Sequence, residues 1–308
     1  MARKRKGLPI SGWLVIDKPA GLSSSAVVGR VRYITGAAKA GHGGTLDPLA
    51  TGILPIALGE ATKTVNYVVD GDKVYTFSIR FGEERTTDDA EGEVSASSGA
   101  RPTTEAIVAA LPRFTGAIEQ VPPAYSAIKV DGRRAYELAR ADQAPTLAAR
   151  PVEIHEFRLI ERPDPDTARF EVRCGKGAYM RSLARDLSRY LGTVGHIVGL
   201  RRTRVGPFSE KGAISLDKLE TLGHSAALAG PLLPVETVLD DIPALALTET
   251  EARCLRHGQP VAVLPIASRS ALSGARQGDV VKAMNDGRLV ALAEIKGGEL
   301  RPLRVINL

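Results

Sequence analysis

Apolar residues run unbroken through Trp13–Ile16, which predicts a short buried strand closed by the turn Lys18-Pro19-Ala20-Gly21. Ser23–Ser25 then offer N-caps for a helix to Ile34, with Val27, Val28 and Val31 inward and Gly36 as its stop. Alternation marks Asp72–Phe81 as a strand: Tyr75, Phe77, Ile79 and Phe81 take one face, Thr76, Ser78 and Arg80 the other. Residues 82–101 are acidic, rich in Ser and Gly and without period, so they predict a surface loop. A helix capped by Thr103 runs to about Phe114, and Pro122-Pro123 break the chain beyond it. Val152–Ile160 and Ala168–Cys174 alternate on either side of Pro163-Asp164-Pro165-Asp166, as in a hairpin. Met180, Leu183, Ala184, Leu187 and Leu191 recur at helical spacing, which predicts a helix within 175–192 with one face on the core. His196–Phe208 reads as a return to the sheet, and Ser215–Leu222 as a short capped helix. From 244 onward, short apolar runs alternate with Gly, Asp and Asn turns, the texture of a small β-rich module.

The chain has 308 residues, enough for two domains, and its 44% hydrophobic and 25% charged content argues against wholesale disorder. The net charge of +6 matters mainly for where it sits. Lys176–Arg204 holds seven basic residues against one acid, Asp186. Within it Arg181, Arg185 and Arg189 fall at i, i+4 and i+8, a basic stripe that suits either a polyanion partner or a solvated helix face. Residues 121–140 add Lys129, Arg133, Arg134 and Arg140 with Tyr125 and Tyr136, consistent with an RNA-contacting insertion or an ordinary surface helix. Cys174 and Cys254 form no CxxC and the five histidines are scattered, so no metal site is expected and a reducing compartment is. The basic run Arg3–Lys6 has no apolar segment behind it, and no apolar run nears the ~20 residues needed to span a bilayer. A cytoplasmic location away from membranes is the expectation.

The densest chemistry lies at residues 41–52, GHGGTLDPLATG. Gly41, Gly43 and Gly44 would permit positive φ and close approach to a ligand. Pro48 fixes its own φ and biases Asp47 away from the α region, so the carboxylate should stand on a stiff turn. On these residues alone two roles are open: an Asx turn satisfying its own backbone, and a presented nucleophile. No GK[ST] follows the glycines, which sets a P-loop aside.

The longer run GHGGTLDPLATGILPIALGEATK is joined by a DKPxGxxS start at 17–24, Asp72-Lys73-Val74-Tyr75, and KGAYMR at 176–181. Together these motifs resemble the TruB family, bacterial pseudouridine synthases that act on uridine-55 in the T-arm of tRNA. The resemblance spans about residues 10–210, with Gly43 and Thr45 at positions that vary among relatives. It implies an α+β fold, in which a pseudouridine synthase catalytic domain with a mixed, mostly antiparallel sheet flanked by helices occupies 1–242. A thumb-like insertion at about 122–151 would close on the T-loop, and a PUA-like RNA-binding domain at 243–308 would grip the acceptor end.

The resemblance also implies roles. Asp47 would be the nucleophile and Arg181 the guanidinium that orients it, opposing the desolvation that disfavours a charged carboxylate in a dry pocket. Tyr75 would stack on the flipped base and help move the C5 proton, while Tyr179 would hydrogen-bond near nucleophile or base. Leu200 would line the pocket, His42 would fill the space left by the extruded nucleotide, and Lys18 would support the first turn. The basic clusters supply the RNA-backbone candidates Arg133, Arg134, Arg185, Arg201 and Arg202. The partner would be tRNA, the chain a monomer, and no cofactor would be needed, because the reaction moves C1′ from N1 to C5 of one uracil without redox change. Attack at C6 of the base and at C1′ of the sugar are both open. A non-catalytic RNA-binding or tRNA-folding protein would use the same basic surface, and Asp47→Asn separates it from a synthase. A nucleoside hydrolase would want a metal-binding aspartate cluster, which the sequence lacks.

Overall fold

The computed structural model describes residues 7–126, 128–130, 132–139, 141, 145–223, 230–269 and 275–308, with Lys129 and Arg134 by backbone alone. The Arg3–Lys6 run, Arg140, and the Lys129 and Arg134 side chains, singled out above for their charge, lie outside the described residues.

Strand β1 (Gly12–Lys18) leads into α1 (Ser24–Thr35), where the Ser23 hydroxyl accepts from the Ala26 N–H and Gly36 stops the helix in the left-handed region. β2 (Ala40–His42) and β3 (Thr51–Leu58) follow, then the short α2 (Val65–Asp70) and β4 (Lys73–Phe81). A small hairpin, β5 (Glu83–Arg85) with β6 (Val94–Ser97), precedes α3 (Thr104–Ala110) and β7 (Gly116–Gln120). The stretch between β7 and the next long strand holds the two-residue strands β8 (Lys129–Val130) and β9 (Arg133–Arg134) and the single-turn α4 (Ala135–Ala139). Long strands β10 (Arg150–Asp164) and β11 (Thr167–Cys174) form the expected hairpin, α5 (Met180–Tyr190) follows, and β12 (Gly195–Val205) returns to the sheet. β13 (Phe208–Ser209) and α6 (Leu216–Leu222), capped by Ser215, end this part.

The main sheet runs β1-β3-β12-β4-β11-β10-β7, with β2 on β3 and β13 on β12. It is antiparallel except where β12 meets β3 at Arg201↔Thr51 and Arg202↔Gly52. Because side chains alternate, Leu14 and Ile16 of β1 enter one core while Trp13 and Val15 enter another. β3 divides in the same way, Leu54, Ile56 and Leu58 against Ile53 and Ala57. Burial on both faces explains why both strands read as unbroken apolar runs.

The second face is covered partly by the C-terminal β-rich domain. Its sheet contains β14 (Ala244–Ala246), β15 (Val261–Ala262), β16 (Val280–Asn285), β17 (Arg288–Lys296) and β18 (Glu299–Val305). It also holds α7 (Glu249–Arg256), which the turn-rich texture did not suggest and which Thr248 and Glu251 open with a reciprocal capping box. Leu289, Leu292 and Ile306 share a core with Trp13, Val15 and Ile53, and Lys63 Nζ donates to the Val305 carbonyl at 2.7 Å. Among the described residues no helix is long and apolar enough to cross a membrane.

The expectation of a plain surface loop at 82–101 fails in its middle. Asp88 and Asp89 are only 8% and 2% exposed, because the turn between β5 and β6 folds them against arginines of α5.

Candidate active site

The Asp47 turn is held by its carbonyl groups. Lys18 is fully buried, and its ammonium donates to the carbonyls of Pro19 (2.9 Å), Leu22 (2.8 Å) and Pro48 (3.1 Å). The Pro48 carbonyl also accepts the Gly21 N–H at 2.9 Å. The Ser24 hydroxyl grips both sides of the preceding residue, accepting from Leu46 N–H (2.8 Å) and donating to the Leu46 carbonyl (2.9 Å). From β12, Arg202 donates to the carbonyls of Ile53 (2.9 Å), Thr45 (3.3 Å) and Gly44 (3.0 Å). The first turn of the chain and the candidate nucleophile loop are thus one hydrogen-bonded unit. Of the three loop glycines only Gly44 takes positive φ (118°); Gly43 is needed for close packing, since a Cβ there would lie 2.7 Å from Val68 Cγ1.

Arg181, in the first turn of α5, lies with Nε 3.0 Å from Asp47 Oδ2. The N–H is not aimed along that line, so the contact is an ion pair rather than a straight hydrogen bond. Its other nitrogens reach two further segments: Nη1 donates to the Thr87 carbonyl at 3.0 Å and Nη2 to the Tyr125 carbonyl at 2.9 Å. Asp89 Oδ2 stands 3.7 Å from Nη1. The arginine side chain is 5% exposed and the Asp47 side chain 34%, so the carboxylate faces open space while its partner is shut in protein.

That space is a cavity of about 310 Å³, lined by Asp47, Tyr75, Tyr179, Arg181 and Leu200 among others. The sheet order makes the grouping: β3, β12, β4 and β11 are consecutive neighbours, and the Asp47 loop precedes β3 while the 175–179 segment follows β11. Burial pushes the Tyr75 phenol above its ordinary pKa; Tyr179 is raised by burial and then by the Asp47 charge, so both phenols keep their protons.

Four expected residues, Tyr75, Tyr179, Arg181 and Leu200, therefore meet Asp47 around one cavity. Lys18 sits behind the loop, as a support. His42 ends β2 and is not part of the lining; burial, then the Arg202 charge, lowers its pKa and keeps the ring neutral.

The RNA-backbone set needs correction. Arg202 is 1% exposed and builds the Asp47 loop from inside. Arg185 is 9% exposed, with Nη1 3.0 Å from Asp88 Oδ2 and Nε donating to Asp186 at 2.9 Å. Arg201 makes a two-pronged pair with Asp17 (2.9 and 3.0 Å) and a further contact with Glu210 at 2.6 Å. The stripe of α5 does share one face, but the 83–92 and 121–125 segments cover Arg181 and Arg185, while half-exposed Arg189 pairs with Glu84. Arg133, on β9, is exposed. The sequence reading missed Thr87, Asp88, Asp89 and Gln120, all buried or half-buried around α5. The adjacent acids Asp88-Asp89 opposite a run of arginines were the one available signal.

Comparison with known proteins defines the class first. A crystal structure of a Cbf5-Nop10-Gar1 complex matches 96% of this chain and 84% of that one, at TM-score 0.73 and 28% identity. A structure of an H/ACA RNP bound to a substrate RNA containing 2′-deoxyuridine shares the fold over 100% of this chain and 92% of its own, at TM-score 0.73 and 24% identity. Residues 32–180 match the profile described as the N-terminal domain of TruB family pseudouridylate synthase, so the protein is a pseudouridine synthase, an isomerase. Residues 181–240 match the tRNA pseudouridylate synthase B C-terminal domain. A Rhodospirillum rubrum protein named tRNA pseudouridine synthase B is 59% identical over the whole of both chains, and one of that name from Caulobacter vibrioides is 52% identical, again over the whole of both. The chain belongs to the TruB family. Its two matched segments meet between Met180 and Arg181, so the 3.0 Å contact of Arg181 with Asp47 joins one to the other.

Proposed function

We propose that the chain isomerises uridine-55 in the T-loop of tRNA to pseudouridine, with Asp47 as nucleophile. The observation that carries this is the Asp47 carboxylate, open to a cavity on one side and paired on the other with buried Arg181. The relatives' shared name, tRNA pseudouridine synthase B, supplies the substrate class. The target base must leave its stack to reach that depth, at a cost of a few kcal/mol. Tyr75 offers the flipped uracil a π-face and Leu200 an apolar wall. Asp47 then holds the fragments through a covalent intermediate while the N1–C1′ bond breaks, the uracil turns and C1′ joins C5; C5 gives up its proton and N1, freed from the sugar, takes one up, so the atoms balance. Arg181 pins the carboxylate in the attacking pose, and its countercharge is fixed before substrate arrives.

Further parts of the proposal rest on placement. The insertion at about 122–151, with exposed Arg133, closes on the T-arm, and residues 243–308 act as a PUA-like RNA-binding domain at the acceptor end. The chain works as a monomer in the cytoplasm. Incubation with an unmodified tRNA transcript, followed by mapping of pseudouridine, should show conversion in the T-loop. Asp47→Asn should abolish product while tRNA binding persists. Product from the amide variant would overturn the nucleophile assignment, and conversion elsewhere with the T-loop untouched would overturn the site.

A further inference from the structure

We infer that Gln120 is a positioning residue for the isomerisation, its carboxamide locking the Tyr179 backbone so that the Tyr179 side chain lines the Asp47 cavity and the Arg181 guanidinium meets Asp47. The inference deepens the reading above and rests on it for the role of Asp47. Gln120 ends β7 and is 2% exposed. A carboxamide so buried needs partners, and this one directs both of its groups at a single residue. The Tyr179 N–H donates to Gln120 Oε1 at 2.7 Å, and Gln120 Nε2 donates to the Tyr179 carbonyl at 3.1 Å. Tyr179 is extended there (φ −107°, ψ 117°), so the side chain stands in for a neighbouring strand.

Tyr179 is also the N-cap of α5, and its own side chain makes no capping bond. Its carbonyl accepts the Leu183 N–H at 3.0 Å, the first bond of the helix. Gln120 therefore does from another strand what the glutamate of a capping box does within one chain segment: it receives the N–H of the cap residue. Arg181 lies two residues further on, and each helical residue turns the chain by about 100°. An error in the cap is carried straight into the direction of the guanidinium.

The bond is the first of a seam. The Val121 carbonyl accepts from the Ser182 hydroxyl (2.7 Å) and from Arg185 Nη2 (2.9 Å), and the Tyr125 carbonyl accepts from Arg181 Nη2 (2.9 Å). Residues 120–125, where the thumb-like insertion leaves the sheet, are thereby stitched to the opening turn of the helix that bears the arginine.

Plain packing and positioning are separated by two variants read in single-turnover rate and tRNA affinity, beside the wild type and Asp47→Asn. Gln120→Leu keeps the bulk and loses both bonds; its rate should fall about 100-fold, the loss typical of a small misplacement of reacting groups, with tRNA affinity within threefold. Gln120→Glu gives a pH signature. Protonated, the new carboxyl copies both bonds; ionised, it sets an oxygen against the Tyr179 carbonyl. Burial raises such a carboxyl's pKa. The variant's rate relative to wild type should be within twofold at pH 5.5 and at least tenfold lower at pH 8.5. A ratio constant with pH, whether high or low, overturns the proposal, and so does Gln120→Leu within threefold of wild type. If Gln120→Leu fails to fold by thermal melting, the pH ratio alone decides. Rates are read on whichever uridine the wild type converts, so an active Asp47→Asn sinks the nucleophile reading separately from the Gln120 result.

Discussion

Arg181→Lys keeps a positive charge and removes the planar fork, which makes it the sharpest test of the site. The guanidinium serves three segments at once: Asp47 at 3.0 Å, the Thr87 carbonyl at 3.0 Å and the Tyr125 carbonyl at 2.9 Å. These lie in three directions, and an ammonium is a point charge on a flexible stem. Lysine can satisfy one or two of them, leaving at least one charge-assisted hydrogen bond of about 1.5–3 kcal/mol unmade. With the side chain only 5% exposed, water cannot fill the gap. If about 3 kcal/mol of orientation is lost in the transition state, the rate falls roughly 100- to 200-fold, at 1.36 kcal/mol per decade. The assay is a single-turnover release of the C5 hydrogen from tRNA labelled there, since forming the C1′–C5 bond frees that hydrogen. Binding should change little, because the arginine is shielded from the RNA. A Lys variant within threefold of wild type would show that charge alone suffices and would refute the three-way clamp.

Arg202→Met removes three donors to the backbone carbonyls of Ile53, Thr45 and Gly44. It should destabilise the fold by about 3–5 kcal/mol, seen as a lower urea midpoint; an unmoved midpoint would deny Arg202 its structural role. Gly52 has φ 98°, and a Cβ there would stand 2.2 Å from the Arg202 carbonyl oxygen. Gly52→Ala should therefore cost about 3 kcal/mol or more, against about 1–2 for Gly192→Ala, where φ is 73° and the space is open. Equal losses at the two positions would contradict the clash. Burial lowers the Lys18 pKa to about 8. The unfolded chain keeps this proton up to the usual 10.5, so between these values this group's contribution to stability rises with pH. The neutral amine, however, has two donors for three carbonyls, so the single-turnover rate should fall as pH rises through about 8 while the fold persists. A rate level to pH 9.5 would remove Lys18 from the support of the Asp47 turn.

Local physics was legible along the chain. The two-residue period of β4, the serine cap and glycine stop of α1, and the apolar spacing of α5 are each written within a dozen neighbouring residues, and each element formed where it was expected. Asp47 and Arg181 were legible through their motifs. What the chain could not disclose was which distant segment would cover each polar face. The arginines of α5 share a face, as their spacing requires, but spacing does not say whether RNA or a carboxylate lies opposite. Asp88 is 97 positions from Arg185 and Gln120 is 59 from Tyr179, and both pairs exist only because β5, β7 and α5 converge once the sheet has its order. A charge is read from one residue, but its partner is settled by strand order, a property of many weak contacts acting together. That is why the candidate nucleophile could be named from sequence, while the set of groups holding it in place emerged only from the fold.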